Sequence, residues 1–167
     1  EVLKDYPLFL SILDVGCSDG YMVKYFRDRG KNACGINDFL YPTDAIFIKE
    51  NELSVLEMDM HNIEFARDSF DAIWCRHVLE HSYAPLQVLF EINRVLRREG
   101  LLFCILPPVP SVPECYPGHW HQIPEYQLRY LLEMSGFTVL SLETSFFSYE
   151  RENDNLEIRA IARKKPI

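Results

Sequence analysis

An apolar strand that runs directly into a glycine-rich turn and then a helix is what most constrains this chain. Ser11-Ile12-Leu13-Asp14-Val15 leads into Gly16-Cys17-Ser18-Asp19-Gly20. Residues 21–29 follow with Met22, Val23 and Phe26 at helical spacing, and Gly30 stands where a C-terminal cap belongs. Strand-length apolar pieces recur at 33–36, 54–58 and 70–75, ending in Asn37-Asp38, Asp59 and Arg76-His77. Pro85 opens an amphipathic helix through Leu89, Ile92 and Leu96, expected to close on Arg97-Arg98-Glu99-Gly100. The nearly continuous apolar run 101–106 predicts a strand buried on both faces, as in a parallel sheet covered by helices. Residues 124–135 read as a helix with Leu128, Leu131 and Leu132 on one face. Residues 137–147 and 156–163 read as strands joined across a polar turn, an antiparallel hairpin at one edge. Alternation of this kind predicts a doubly wound α/β fold.

Composition narrows the function. The 167 residues are 48% hydrophobic and 25% charged, which suits one globular domain over residues 1–167. With 25 acidic against 17 basic side chains the net charge is −8, so nucleic acid is an unlikely partner and a small molecule the more natural one. The apolar runs are too short for a membrane span, and the first residues lack a signal-peptide pattern. Five cysteines, at 17, 34, 75, 104 and 115, form no CxxC pair and read as reduced thiols of a cytoplasmic protein. The chain starts at Glu1 rather than Met, which leaves room for a leading segment.

Three chemistries compete for the first turn. A dinucleotide fingerprint would need glycines where Ser18 and Tyr21 stand, and a P-loop lacks its Gly-Lys-Ser/Thr. Gly16-Cys17-Ser18-Asp19-Gly20 spells a nucleophile elbow, with His119 or His121 as the base for Ser18, yet only 17 residues precede that serine. Electrostatics favour a third reading. Asp14 and Asp19 flank the turn, and no Lys or Arg lies between residues 5 and 23, so a phosphate would be repelled and a sulfonium or ammonium attracted. S-adenosylmethionine (SAM) carries both cations and no phosphate.

Leu13-Asp14-Val15-Gly16-Cys17-Ser18-Asp19-Gly20 resembles the SAM-binding loop of class I SAM-dependent methyltransferases. Phe70-Asp71-Ala72-Ile73-Trp74-Cys75-Arg76-His77-Val78-Leu79-Glu80-His81 is similar to their fourth strand and its continuation. Glu91-Ile92-Asn93-Arg94-Val95-Leu96, Gly100-Leu101-Leu102 and Leu131-Leu132-Glu133-Met134-Ser135-Gly136-Phe137 extend the likeness over nearly the whole chain, nearest to the ubiquinone-pathway-like small-molecule group. The resemblance implies a Rossmann-like, mostly parallel seven-stranded sheet with an antiparallel edge strand. It implies methyl transfer from SAM to an O, N or C nucleophile of a small molecule, with S-adenosylhomocysteine as product. It also implies that Asp14, Gly16, Cys17, Ser18 and Gly20 surround the methionine part, and that Asp59 and Met60 border the adenine. Cys75 and Arg76 would pass beside the sulfur, and Asn37 or Asp38 would hold the ribose. The usual middle glycine of the loop is Ser18 here, and the usual ribose acid is Asn37, followed by Asp38. These departures support an alternative, a catalytically silent methyltransferase-like binding module.

Transfer from a sulfonium needs alignment first, and a base only where the acceptor must lose a proton. His77, His119 and His121 are the candidates. His77-Val78-Leu79-Glu80-His81 also spells H-x-x-E-H, which His119-x-His121 could complete as a metal site. Its place directly after a buried strand, and a similar Leu-Glu-His in the methyltransferases without metal, lead to an expectation of none. Six of the ten prolines lie between 107 and 124, interleaved with Tyr116, His119, Trp120 and His121, and predict a loop over the sheet's carboxyl ends, read as a substrate cover or as a packed surface loop. Arg76 would anchor a substrate carboxylate or pair with an acid; Tyr116 and Trp120 would stack on a flat acceptor or close the core.

Overall fold

The computed structural model describes residues 9–108, 118–147 and 155–166. Seven strands form one sheet in the order β3-β2-β1-β4-β5-β7-β6. They are β1 (Ser11–Val15), β2 (Asn32–Asn37), β3 (Val55–Glu57), β4 (Phe70–Arg76), β5 (Leu96–Leu106), β6 (Phe137–Phe147) and β7 (Asn155–Lys164). β1 through β5 pair in parallel, whereas β7 runs antiparallel to both β5 and β6. The expected edge hairpin is therefore present, with β7 lying inside β6.

Period-two alternation divides the core between the two faces of the sheet. Leu13 and Val15 of β1 join the cluster that receives α3 (Pro85–Val95) and α4 (Glu125–Met134) through Val88, Leu89, Ile92, Leu128 and Leu132. Ile12 joins the opposite cluster, where α1 (Tyr21–Arg27) buries Val23 and Phe26 against Phe9, Trp74 and Phe103. Phe26 meets Trp74 edge-to-face at 5.9 Å between centroids. Asp14 belongs by alternation to this second face.

Two elements depart from the sequence reading. α3 ends at Val95, and Leu96 is already in β5, paired with Phe70. The ladder is irregular between Phe70 and Ala72, so Arg97, Arg98 and Glu99 sit in a bulged strand start instead of a last helical turn. Gly100 is needed there, because a Cβ would lie 2.8 Å from the Arg97 carbonyl oxygen and 2.9 Å from that of Asp71. Arg97 pairs with Asp71 at 2.6 Å, which holds the bulge to β4. The second departure is α2 (Pro42–Glu50), which the apolar pattern does not announce, since no residue of it is buried. Proline at its first turn opens it. The polar turn before β7, and Tyr116 and Cys115 in the proline-rich stretch, lie outside the described residues.

Candidate functional site

Strand order reverses at β1, whose neighbours are β2 on one side and β4 on the other. Open α/β sheets bind ligands beyond the strand ends at such a point. A cavity of about 610 Å³ lies there, within the usual range for ligand sites. Gly16 and Ser18 after β1, Asn37 and Asp38 after β2, Asp59 and Met60 after β3, and His77 after β4 all line it.

The turn after β1 is held open by its backbone. Gly16 N–H and Cys17 N–H both donate to the Ile36 carbonyl, at 2.9 and 3.0 Å. Gly16 has φ +71°, and a Cβ on it would lie 2.4 Å from Val78 Cγ2, so only glycine fits. Ser18 also takes a left-handed φ of 49°. Asp19 accepts from the Tyr21 N–H at 3.0 Å, just ahead of Gly20, the N-cap of α1. Beneath the turn, Asp14 is buried, and no hydrogen bond or ion pair joins its carboxyl to another described residue. Burial pushes its pKa well up, Asp19 adds to the rise, and Arg76 opposes it. The lining includes Asp38 and Asp59 but, among the described residues, no lysine or arginine. A buried carboxyl opposed only in part by Arg76, whose guanidinium is bonded to Glu157, and a lining with Asp38 and Asp59 but no lysine or arginine among the described residues fit a cationic ligand, and they disfavour a polyphosphate.

The wall near Asp59 is braced. His61 Nδ1 lies 2.7 Å from Asp59 Oδ1, and its Nε2 lies 2.8 Å from Ser82 Oγ. The backbone N–H of His61 also donates to Asp59, and these bonds hold the Asp59 carboxyl below its ordinary range. Tyr83 stacks on the His61 ring at 3.9 Å while remaining 67% exposed. Serine, histidine and aspartate in this order imitate a hydrolytic triad. Ser82, however, is 0% exposed and its hydroxyl accepts from the Ala84 N–H, so the chain is a strut. Nor does any hydrogen bond link the Ser18 hydroxyl to a histidine among the described residues, the contact a nucleophile elbow requires.

His77 lines the cavity with φ 54°, its Nε2 3.1 Å from the buried Glu157 Oε1 on β7. Arg76 donates to the same oxygen at 2.6 Å. Burial opposes ionisation of Glu157, yet the bonds from His77 and Arg76 bring its pKa below the ordinary value. An ionised Glu157 can only accept, so Nε2 of His77 carries the proton of this bond, and in the neutral ring Nδ1 holds the lone pair. Arg76 is thus committed to an acid of the protein.

The remaining sequence candidates fall outside the lining. Cys17 is buried against Gly35, and Cys75 lies buried beside its ladder partner Cys104. Gly20 faces Leu53, not the cavity. His119 packs edge-on against His81, ring centroids 4.6 Å apart. His121 is tied through its N–H to the Glu80 carbonyl at 3.2 Å. Trp120 is 72% exposed and so does not close the core. Sequence reasoning passed over Tyr41, His61 and Tyr83 as lining residues; only the spacing Asp59-x-His61 hinted at one of them.

Comparison with known proteins bears on this geometry. The family model described as "Methyltransferase domain" matches residues 13–104. A ubiquinone biosynthesis O-methyltransferase of Actinobacillus pleuropneumoniae serotype 7 is 30% identical over 102 residues, covering 55% of this chain and 43% of the relative. A tRNA U34 carboxymethyltransferase of Sulfurimonas denitrificans is 29% identical over 94 residues, covering 53% of this chain and 32% of the relative. The matches thus span less than half of these curated relatives. A Burkholderia thailandensis structure, 1,6-didemethyltoxoflavin-N1-methyltransferase with bound 1,6-didemethyltoxoflavin and S-adenosylhomocysteine, superposes with TM-score 0.77 at 17% identity. The superposition covers 98% of this chain and 75% of that one. At that identity the likeness establishes a shared fold.

Proposed function

The chain belongs to the methyltransferase-domain family, and from that premise we propose that it moves a methyl group from SAM to a nucleophilic atom of a small molecule. The observation that carries the reading is the turn after β1: Asp14 lies buried near the end of the strand, outside the cavity lining, and Gly16 and Ser18 after it line a cavity that, among the described residues, has no lysine or arginine. SAM supplies an electrophilic methyl group on a sulfonium, together with an ammonium that such a carboxyl would favour.

This chain's own residues then divide the work. Asp14, Gly16 and Ser18 hold the amino-acid end. At the end of β2, the Asn37 amide Nδ2 donates to the Phe39 carbonyl and leaves its Oδ1 to accept, while the charged Asp38 carboxylate is the stronger acceptor for ribose hydroxyls. Asp59, fixed by His61, offers an acceptor for the adenine amine, and Met58, Met60 and Tyr83 offer apolar walls. His77 faces the acceptor side and supplies the Nδ1 lone pair for a proton lost by an O–H or N–H acceptor. The relatives include an enzyme named for tRNA, but the net charge of −8 and the acidic lining favour a small acceptor here.

Ultraviolet cross-linking of methyl-labelled SAM tests the reading. Label should appear on peptides bordering the cavity, from the turn after β1 or the end of β2, and should fall in Asp14→Asn. Label confined to remote peptides, or none at all, would overturn it.

A further inference from the structure

Glu80 is 1% exposed, and neither oxygen of its carboxylate meets a hydrogen-bond partner among the described residues. A buried ionised carboxylate left without a partner is strongly destabilising, so this position calls for a cation or a proton. Burial raises its pKa accordingly. Two imidazoles stand beside it. Oxygen or nitrogen ligand atoms from Glu80, His81 and His119 all lie within 4.8 Å of one another. His81 Nδ1 donates to the Gly118 carbonyl at 2.9 Å, which fixes the tautomer and leaves Nε2 as the lone pair. The segment bearing His119 is pinned, because Trp120 N–H and His121 N–H both donate to the Glu80 carbonyl, at 2.8 and 3.2 Å.

We propose that Glu80, His81 and His119 form a divalent-cation site of the zinc class at the edge of the cavity, with an open position toward it. One carboxylate and two imidazoles are a donor set that zinc accepts with a fourth place left free. His81 lines the cavity, so the free position faces the acceptor side, next to His77. The open position then selects acceptors that carry an oxygen donor, a hydroxyl or carboxylate; this last step rests on the methyl-transfer reading, while the metal site itself does not. The helical pairing of His77 with His81 that H-x-x-E-H suggests is not what the fold builds. His77 turns to Glu157 through its left-handed φ, and the proline-rich segment brings in His119 instead.

Metal titration of the chelator-treated 167-residue chain decides the matter. Co²⁺ should bind at one equivalent with intense tetrahedral-type visible bands that Zn²⁺ abolishes. Glu80→Gln, which keeps the side-chain shape, and His119→Ala should each weaken Co²⁺ by about 100-fold, whereas His121→Ala should not. Absence of the bands, or equal binding by all variants, overturns the proposal. SAM titrated into the same samples separates the two readings: SAM binding without Co²⁺ binding removes the metal site alone, and Co²⁺ binding without SAM binding leaves it standing.

Discussion

Gly16 shows how much a single position can decide. Its left-handed backbone and its distance to Val78 both exclude a side chain, and the same bareness lets a ligand reach the backbone of the turn. Gly16→Ala is expected to cost about 1–3 kcal/mol in urea unfolding, from backbone strain and the clash together, and to reduce SAM binding in parallel. The ribose position offers a second test at this scale. Asp38→Ala should weaken S-adenosylhomocysteine by roughly tenfold or more, since hydrogen bonds to a charged group are worth about 1.5–3 kcal/mol, and Asn37→Ala should weaken it less. Equal losses would return the ribose contact to Asn37. Position types such as Gly16 and Asp14 were legible in the sequence because their chemistry is local. His61, Tyr83 and Glu157 were not, because their roles arise only when β3, the turn at 79–81 and β7 come together.

Elements were legible where burial imposed a period and illegible where it did not. α3 and α4 announce themselves by their apolar faces; α2 buries nothing and left no trace beyond its proline. The start of β5 was hidden because Leu96 suits a helix face as well as a strand, and pairing with Phe70 decides between them. β1, β4 and the β5 bulge are joined by Asp71, which accepts from Leu10 N–H, from Ser11 N–H and hydroxyl, and from Arg97. Burial opposes its ionisation, but the Ser11, Arg97 and Leu10 bonds bring its pKa down to about 2. The ionised group thus stabilises the fold fully above its unfolded value of about 4, and this contribution is lost as pH falls through about 2. Denaturant unfolding of Asp71→Asn should therefore lie below the parent at neutral pH, with the gap closing between about pH 4 and pH 2. A gap that persists unchanged at the acid end would contradict the assignment.

For the molecule as a whole, the α/β alternation, the edge hairpin and the acidic strand ends Asp38 and Asp59 were legible in the sequence, while the strand order and the cavity that gathers those ends came only with the assembled sheet. The buried Asp14 couples that cavity to pH. Burial raises its pKa and a cationic ligand favours its ionised form, so SAM affinity should increase as pH rises through the Asp14 transition. Asp14→Asn should remove the dependence as well as the affinity. The most direct test of the central claim is side-by-side titration calorimetry of SAM, S-adenosylhomocysteine, NADH and ATP. The account predicts saturable heat for the first two and none for the anionic nucleotides; binding of NADH or ATP with no response to SAM would contradict it.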